Sequence, residues 1–192
     1  MKYELLSDAQ LAAEVLGRDT SRLPRAAARC AEASPEENAA SPRTLLRHRL
    51  DAARELLKRE LQARLAEEPV LGTPDRLREW LRLHCGGLER EVFLGLFLDN
   101  QLRLIEAQTL FLGTLTQTSV YPREVVKAAL VHNAAALAVA HNHPSGDGRP
   151  SRADEYLTQV LKASLAMVDV RLIDHFIVAG DRVVSMAEQG LV

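Results

Sequence analysis

Apolar side chains recur at helical spacing in the first third of the chain. The longest run forms a single stripe in which a leucine or alanine returns every three or four residues: Leu46, Leu50, Ala53, Leu57, Leu61 and Leu65. Ser41-Pro42 supplies a helix cap and a first-turn proline before this run, and Pro69 closes it. Two shorter helices are expected earlier, one after the capping-box pattern Ser7-Asp8-Ala9-Gln10 and one over about residues 22–32.

The remainder of the chain alternates between apolar runs and helical patterns. Residues 91–98 are almost wholly apolar, which is typical of a strand in the centre of a sheet. A short helix between Thr73-Pro74 and Gly86-Gly87 is expected before this strand. After it the pattern predicts, in order, a strand over 102–110, a helix over 122–132, a strand over 134–140, a helix over 150–167 and strands over 170–179 and 181–186.

Composition divides the chain near the end of the long helical run. Residues 1–69 contain one glycine, one aromatic residue and no isoleucine, whereas residues 70–192 contain the other nine glycines, seven aromatic residues and all three isoleucines. Aromatic and β-branched side chains suit sheets, and alanine, leucine, arginine and glutamate suit helices. The sequence therefore predicts an α+β protein, with a helical domain over 1–69 and a second domain over 70–192 in which helices flank a mixed β-sheet.

Charge and composition restrict the partners and the compartment. The chain has 24 basic and 26 acidic side chains, and residues 1–69 are neutral with 12 of each. Net charge therefore draws neither the chain nor its helical part to nucleic acid. No run of about 18 uncharged apolar residues is present, so we expect no membrane span. The N-terminus leads into no apolar signal core, and two cysteines are too few for a disulfide framework, so a cytoplasmic protein is expected.

Two histidines at the end of a predicted buried strand are the first candidate ligands of a metal ion. His141 and His143 are two residues apart, and side chains at that spacing on an extended chain point the same way. Imidazole suits zinc, and a catalytic zinc site needs a third protein ligand. Asp154 and Asp147 are the nearby candidates. Both residues also have a local explanation, Asp154 as part of a helix-capping pattern and Asp147 as a turn residue.

Other reactive or charged side chains are interpreted as structural. His132 is expected at a helix end and His175 in a strand, with no matching partner for either. His84-Cys85 resembles a nucleophile pair, but neighbours in a helix do not face each other. The basic residues of the long helix are compatible with phosphate contacts, although interleaved acids favour a solvated, ion-paired face. This last group comprises Arg47, Arg54 and Lys58.

The region around the histidine pair resembles the JAMM metal motif, His-x-His-Pro followed by Ser-x-x-Asp. It reads His141-Asn142-His143-Pro144, and then Ser151-Arg152-Ala153-Asp154 after a short loop. Glu91-Val92-Phe93-Leu94-Gly95-Leu96 is similar to the strand that carries the motif's glutamate, with one extra position before the glycine. Further strings over about residues 70–192 are similar to the RadC branch of the JAB/MPN family: 97–101, 110–115, 120–127 and 168–175.

This resemblance implies a JAB/MPN-like domain and a zinc-dependent metallopeptidase or isopeptidase. It implies that His141, His143 and Asp154 hold Zn²⁺ with water in the fourth position, and that this water attacks an amide carbonyl. Glu91 then serves as general base and later acid, and Ser151 helps to stabilise the oxyanion. Glu124 is the alternative base. The implied partner is a peptide or protein-conjugate substrate.

The N-terminal part is similar to RadC at its opening helix, over residues 6–11, and again over residues 33–37. RadC next has a helix-hairpin-helix with a glycine turn that meets phosphate, whereas the stretch 38–44 has no glycine and contains Ser41-Pro42. This departure argues against DNA binding through the hairpin. A DNA-associated accessory protein remains the alternative function, and an inactive scaffold is a third hypothesis. The sequence predicts no particular oligomeric state.

Overall fold

The computed structural model describes residues 3–17, 42–72, 74–113 and 119–192. The chain divides into two compact units, Met1–Glu60 and Leu61–Val192. The predicted domain boundary between residues 69 and 70 falls a little later in the chain. The predicted helix over 22–32 and the start of the hairpin stretch, residues 38–41, lie outside the described residues.

The first unit contains a short capped helix and most of a long one. A 3-10 helix, Tyr3–Leu5, precedes helix α1, Asp8–Val15. The Ser7 hydroxyl caps α1 by accepting from the Gln10 backbone N–H, and the Ser7 backbone N–H donates to the Gln10 side chain, as the capping-box pattern predicts. Helix α2, Pro42–Glu67, begins at the predicted proline and ends before Pro69.

The apolar stripe of α2 is buried only at its C-terminal end. Leu61 and Leu65 are buried in the second unit, whereas Leu46, Leu50 and Leu57 are exposed. Ala52 and Glu55, near the middle of the helix, are the other buried positions among its described side chains. Glu55 bonds Arg59 at 2.9 Å and Lys58 at 2.6 Å, so acid and base pair on this helix.

The second unit is built on a five-stranded mixed sheet with a central, wholly buried strand. Its helices are α3, Pro74–Cys85, α4, Pro122–Val131, and α5, Arg152–Ala166. Its strands are β1, Val92–Leu98, β2, Leu104–Leu112, β3, Ala136–Asn142, β4, Arg171–Ala179, and β5, Arg182–Ser185. The strand order is β2-β1-β3-β4-β5, and only β3 and β4 are parallel. The predicted α+β class and the predicted order of elements in this unit are confirmed.

Alternate side chains of the sheet form a hydrophobic core on each of its faces. On one face, Leu94 and Leu96 pack in a cluster with Trp80 from α3. On the other face, Phe93 and Phe97 share a cluster with side chains from α4 and α5. Because residues of a strand alternate between faces, a strand buried on both faces needs the continuous apolar run that residues 92–98 provide.

The link between the two parallel strands determines where polar side chains collect. Strand β3 leads through a loop into α5, and α5 returns the chain to β4. This crossover brings the carboxyl end of β3 next to the N-terminus of α5, and ligands in open α/β sheets typically bind at such a strand end. None of the helices within the described ranges is long and apolar enough for a membrane crossing.

Candidate metal centre

The three predicted ligands, His141, His143 and Asp154, form a cluster at the carboxyl end of β3. His141 is the penultimate residue of β3, His143 follows the strand, and Asp154 is in the first turn of α5. The predicted strand ended before His141, but β3 extends through Asn142. One ligand atom from each of the three residues lies within 4.8 Å of the others.

The spacing of the ligand atoms suits a zinc ion. The Nε2 atoms of His141 and His143 are 2.9 Å apart. The Asp154 carboxylate lies 3.2 Å from Nε2 of His141 through Oδ1 and 3.7 Å from Nε2 of His143 through Oδ2. With Zn–N distances near 2.0–2.1 Å, two ligand atoms of a tetrahedral site are separated by about 3.3 Å. The three measured separations lie on both sides of that value.

The loop after β3 holds His143 by its other ring nitrogen. Nδ1 of His143 lies 2.6 Å from the backbone carbonyl of Asp147. A carbonyl only accepts hydrogen bonds, so Nδ1 carries the proton and Nε2 presents a lone pair to the cluster. The Asp147 carboxylate instead bonds Arg149, which lowers its pKa to about 2. Asp147 therefore supports the site through its backbone, and its carboxylate is outside the ligand cluster.

His141 is held by a residue that sequence reasoning set aside. Its Nδ1 lies 2.8 Å from Nε2 of His175, and Nδ1 of His175 lies 2.6 Å from the hydroxyl of Thr158. The expectation that His175 has no partner was therefore wrong. Burial is the main cause that lowers the pKa of His175 to about 3, and repulsion by His141 adds to it. The available signal was an imidazole within the apolar run 170–179, because a buried imidazole needs a hydrogen-bond partner.

Ser151 and Asp154 combine the capping pattern with the ligand cluster. Ser151 is the N-cap of α5, and its side chain and that of Asp154 exchange the bonds of a capping box. Oδ2 of Asp154 accepts from the Ser151 hydroxyl at 2.6 Å and from its backbone N–H at 2.7 Å. Burial raises the pKa of Asp154, but the nearby imidazole of His141 and the hydrogen bonds from Ser151 outweigh it and lower the pKa well below its usual range. Asp154 is therefore both the capping acid of α5 and a member of the cluster with His141 and His143.

Glu91 lies at the same cavity as the ligand cluster. A cavity of about 590 Å³ is lined by Glu91, Ser151 and the three ligands. Glu124 is placed elsewhere: it bonds Arg123 and lines a different cavity with Lys127 and His132. The structure therefore brings the first of the two candidate bases to the predicted ligands His141, His143 and Asp154.

Asn142, between His141 and His143, holds the backbone on both sides of Glu91 by two hydrogen bonds. Asn142 is buried, its Oδ1 accepts from the backbone N–H of Val92 at 2.8 Å, and its Nδ2 donates to the carbonyl of Arg90 at 3.1 Å. Sequence reasoning missed this residue. An amide side chain between two ligands at the end of a buried strand was the available signal, since buried amides are hydrogen-bonded.

The remaining candidate residues lie away from the cluster. His132 ends α4, as predicted, but it has partners, because its ring packs on Phe97 and Nε2 lies 3.2 Å from Gln108. His84 stacks on Trp80, and Cys85 is buried in the core. Both residues fit the structural interpretation that their helical neighbourhood predicts.

A family model decides the relationship of the chain to known proteins. The model of the RadC-like JAB domain matches residues 71–191, which is more than half of the chain. The chain belongs to the RadC-like JAB domain family. The matched residues include all five strands, Glu91 and the complete ligand cluster.

Relatives of this RadC-like JAB protein carry the name UPF0758 protein, which states no activity. The relative from Leptothrix cholodnii is 59% identical over 145 residues, which cover 76% of this chain and 65% of that protein. The relative from Dechloromonas aromatica is 57% identical over 143 residues, which cover 74% and 63%. The relative from Polaromonas sp. is 57% identical over 145 residues, which cover 76% and 65%. The chain thus spans less than two thirds of the length of these relatives.

Proposed function

We propose that this protein is a zinc-dependent metallopeptidase or isopeptidase. The observation that carries the proposal is the convergence of two imidazole Nε2 atoms and one carboxylate at tetrahedral spacing beside Glu91. His141, His143 and Asp154 would hold the ion. Three protein ligands of this kind leave one position open, which distinguishes a catalytic zinc site from a closed structural one.

The chain's own groups have separate tasks in amide hydrolysis. A bound zinc ion would supply Lewis acidity, which favours ionisation of water and polarises a carbonyl. Glu91 removes a proton from the attacking water and delivers it to the leaving nitrogen as the C–N bond breaks. Ser151 presents its hydroxyl at the same cavity and stabilises the negative charge that develops on the carbonyl oxygen.

The shape and lining of the cavity support a peptide or protein-conjugate substrate. The cavity has a volume of about 590 Å³, and Val120, Tyr156 and Leu157 contribute to its wall beside the polar groups. Such a mixture suits an extended peptide segment, with apolar wall for side chains and few polar groups for orientation. We propose that the scissile bond is an amide or isopeptide bond.

Metal binding is the first test. The purified protein is expected to bind one equivalent of Zn²⁺, measured by metal analysis and by competition with a chromophoric chelator. Asp154→Asn should weaken binding, because it removes the carboxylate charge from the cluster. Asp147→Asn is the matched control and should bind like wild type, because its side chain faces Arg149. Sub-stoichiometric zinc in the wild-type protein, or equal losses in the two variants, would contradict the proposal.

Hydrolysis is the second test and separates the candidate bases. Glu91→Gln should keep zinc but lose cleavage of a library of fluorescence-quenched peptides by about 100-fold or more, the usual contribution of a general base. Glu124→Gln should cleave at the wild-type rate because Glu124 lines another cavity. Cleavage by zinc-loaded Glu91→Gln at the wild-type rate would remove Glu91 from the mechanism.

A further inference from the structure

A chain of hydrogen bonds runs from the backbone of α5 to the ligand cluster through two side chains that do not contact the cavity. The Thr158 hydroxyl lies 2.6 Å from the carbonyl oxygen of Asp154 and 2.6 Å from Nδ1 of His175. Nε2 of His175 lies 2.8 Å from Nδ1 of His141. Thr158 and His175 are fully buried, so water does not compete for these bonds.

The order of donors in this chain follows from the single proton of the hydroxyl. The Asp154 carbonyl at 2.6 Å is a closer and stronger acceptor for Thr158 than the Met186 sulfur at 3.7 Å. When Thr158 donates to the carbonyl, its oxygen accepts from Nδ1–H of His175. A neutral imidazole has one donor and one acceptor, so Nε2 of His175 accepts from Nδ1–H of His141.

This direction of donation determines the protonation of Nε2 of His141, the nitrogen that faces His143 and Asp154. With the proton on Nδ1, Nε2 of His141 has a free lone pair directed at the cluster, which a metal ion requires. In the reverse order, Thr158 donates to His175 and His175 donates to His141. The proton of His141 then sits on Nε2, between Nε2 of His143 at 2.9 Å and Oδ1 of Asp154 at 3.2 Å, and occupies the lone pair that the metal needs.

We propose that Thr158 and His175 are positioning residues that hold His141 in its metal-binding tautomer. This inference rests on the proposed zinc site. The Asp154 carbonyl can only accept a hydrogen bond, so it fixes the direction in which the Thr158 hydroxyl donates. That direction sets which nitrogen of His175, and then which nitrogen of His141, carries the proton. The same residue, Asp154, thus contributes to the site twice, through its carboxylate and through its backbone oxygen.

The test compares two substitutions of Thr158 in the full chain. Thr158→Val has nearly the same shape but no hydroxyl, and the zinc dissociation constant is expected to rise 10- to 100-fold, the usual effect of losing a group that orients a ligand. Thr158→Ser keeps the hydroxyl and should bind within about threefold of wild type, well below that range. Ser164→Ala is the matched control and should bind zinc like wild type. The Ser164 hydroxyl also bonds a backbone carbonyl of α5, that of Val160, at 2.8 Å.

A second measurement reports the tautomer directly. Nitrogen chemical shifts of histidine-labelled, zinc-free protein should place the His141 proton on Nδ1 in wild type and in Thr158→Ser, and on Nε2 in Thr158→Val. Packing alone would not move this proton. Wild-type zinc affinity in Thr158→Val, or an equal loss in Thr158→Ser, would overturn the inference. Failure of the wild type to bind zinc would instead defeat the proposed function. The nitrogen shifts would still show in which direction the hydrogen bonds from Thr158 to His141 run.

Discussion

The side chain of Asn142 holds the backbone on both sides of Glu91. Its Oδ1 accepts from Val92 N–H at 2.8 Å, and its Nδ2 donates to the Arg90 carbonyl at 3.1 Å. Asn142 is the last residue of β3 and lies between His141 and His143, and β1 and β3 are antiparallel neighbours. One amide therefore links the position of the proposed base to the position of the proposed ligands.

Replacing this amide should damage catalysis more than metal binding. Asn142→Ala leaves the Val92 N–H and the Arg90 carbonyl without their partner, at a cost of about 1–3 kcal/mol in stability for each group that stays buried. Displacement of Glu91 should lower hydrolysis by about 100-fold, while zinc affinity stays near wild type because the three ligands remain. Urea unfolding, zinc competition and peptide cleavage measure the three effects.

The control for Asn142 is Asn100→Ala, at the exposed turn between β1 and β2. It should leave cleavage and zinc affinity unchanged. If Asn142→Ala lost zinc in parallel with activity, Asn142 would act on the ligands and not on Glu91.

The two capping boxes among the described helices allow the capping role of Ser151 to be separated from its role at the proposed metal site. Ser7→Ala and Ser151→Ala each remove an N-cap and should lower the stability of their helices by about 1 kcal/mol. Of these two serines, only Ser151 also bonds a proposed metal ligand, at Oδ2 of Asp154. Ser151→Ala should therefore weaken zinc binding by about tenfold, whereas Ser7→Ala should not change it.

Unfolding with a chelator present and zinc competition with the same variants provide the comparison. Identical zinc affinities in the two variants would show that Ser151 acts only as a helix cap and does not support metal binding.

Asp174, which is not a member of the cluster of His141, His143 and Asp154, gives the protein a pH dependence of stability. It accepts bonds from Ser185 Oγ at 2.6 Å and from the backbone N–H groups of His175 and Ala187. Burial, the largest influence, raises its pKa and outweighs these bonds. The folded state therefore holds the proton to higher pH than the unfolded state, so this group favours folding most strongly below its unfolded pKa, near 3.9.

As pH rises from there through the folded pKa, the contribution of Asp174 is lost. The free energy of unfolding of wild type, measured in chelator against that of Asp174→Asn, should therefore fall as pH increases from about 4. Asp181→Asn, at the exposed turn before β5, should follow the wild-type profile. A wild-type free energy of unfolding that rises relative to that of Asp174→Asn over this range would show that folding lowers the pKa of Asp174.

The prediction of the fold succeeded where hydrophobic spacing alone decides the element. The wholly buried strand β1 and the order of helices and strands in the second unit follow from apolar runs of different period. The stripe of α2 shows the limit of this reasoning. Spacing identifies a helix, but Leu50 is exposed and Leu61 is buried at equivalent positions of the stripe. Which part of a stripe is covered depends on the surroundings of the helix.

The sequence by itself predicted the two pairs that make up the cluster and its support, because each pair is local. Two residues of extended chain align His141 with His143, and one turn of helix joins Ser151 to Asp154. Only the tertiary structure selected the groups that support them. The pairing of β3 with β4 brings His175 to His141 across 34 residues, and the pairing of β1 with β3 brings Asn142 to Val92 across 50. Such partners have no local spacing to reveal them, because strand pairing and the packing of α5 create the contacts.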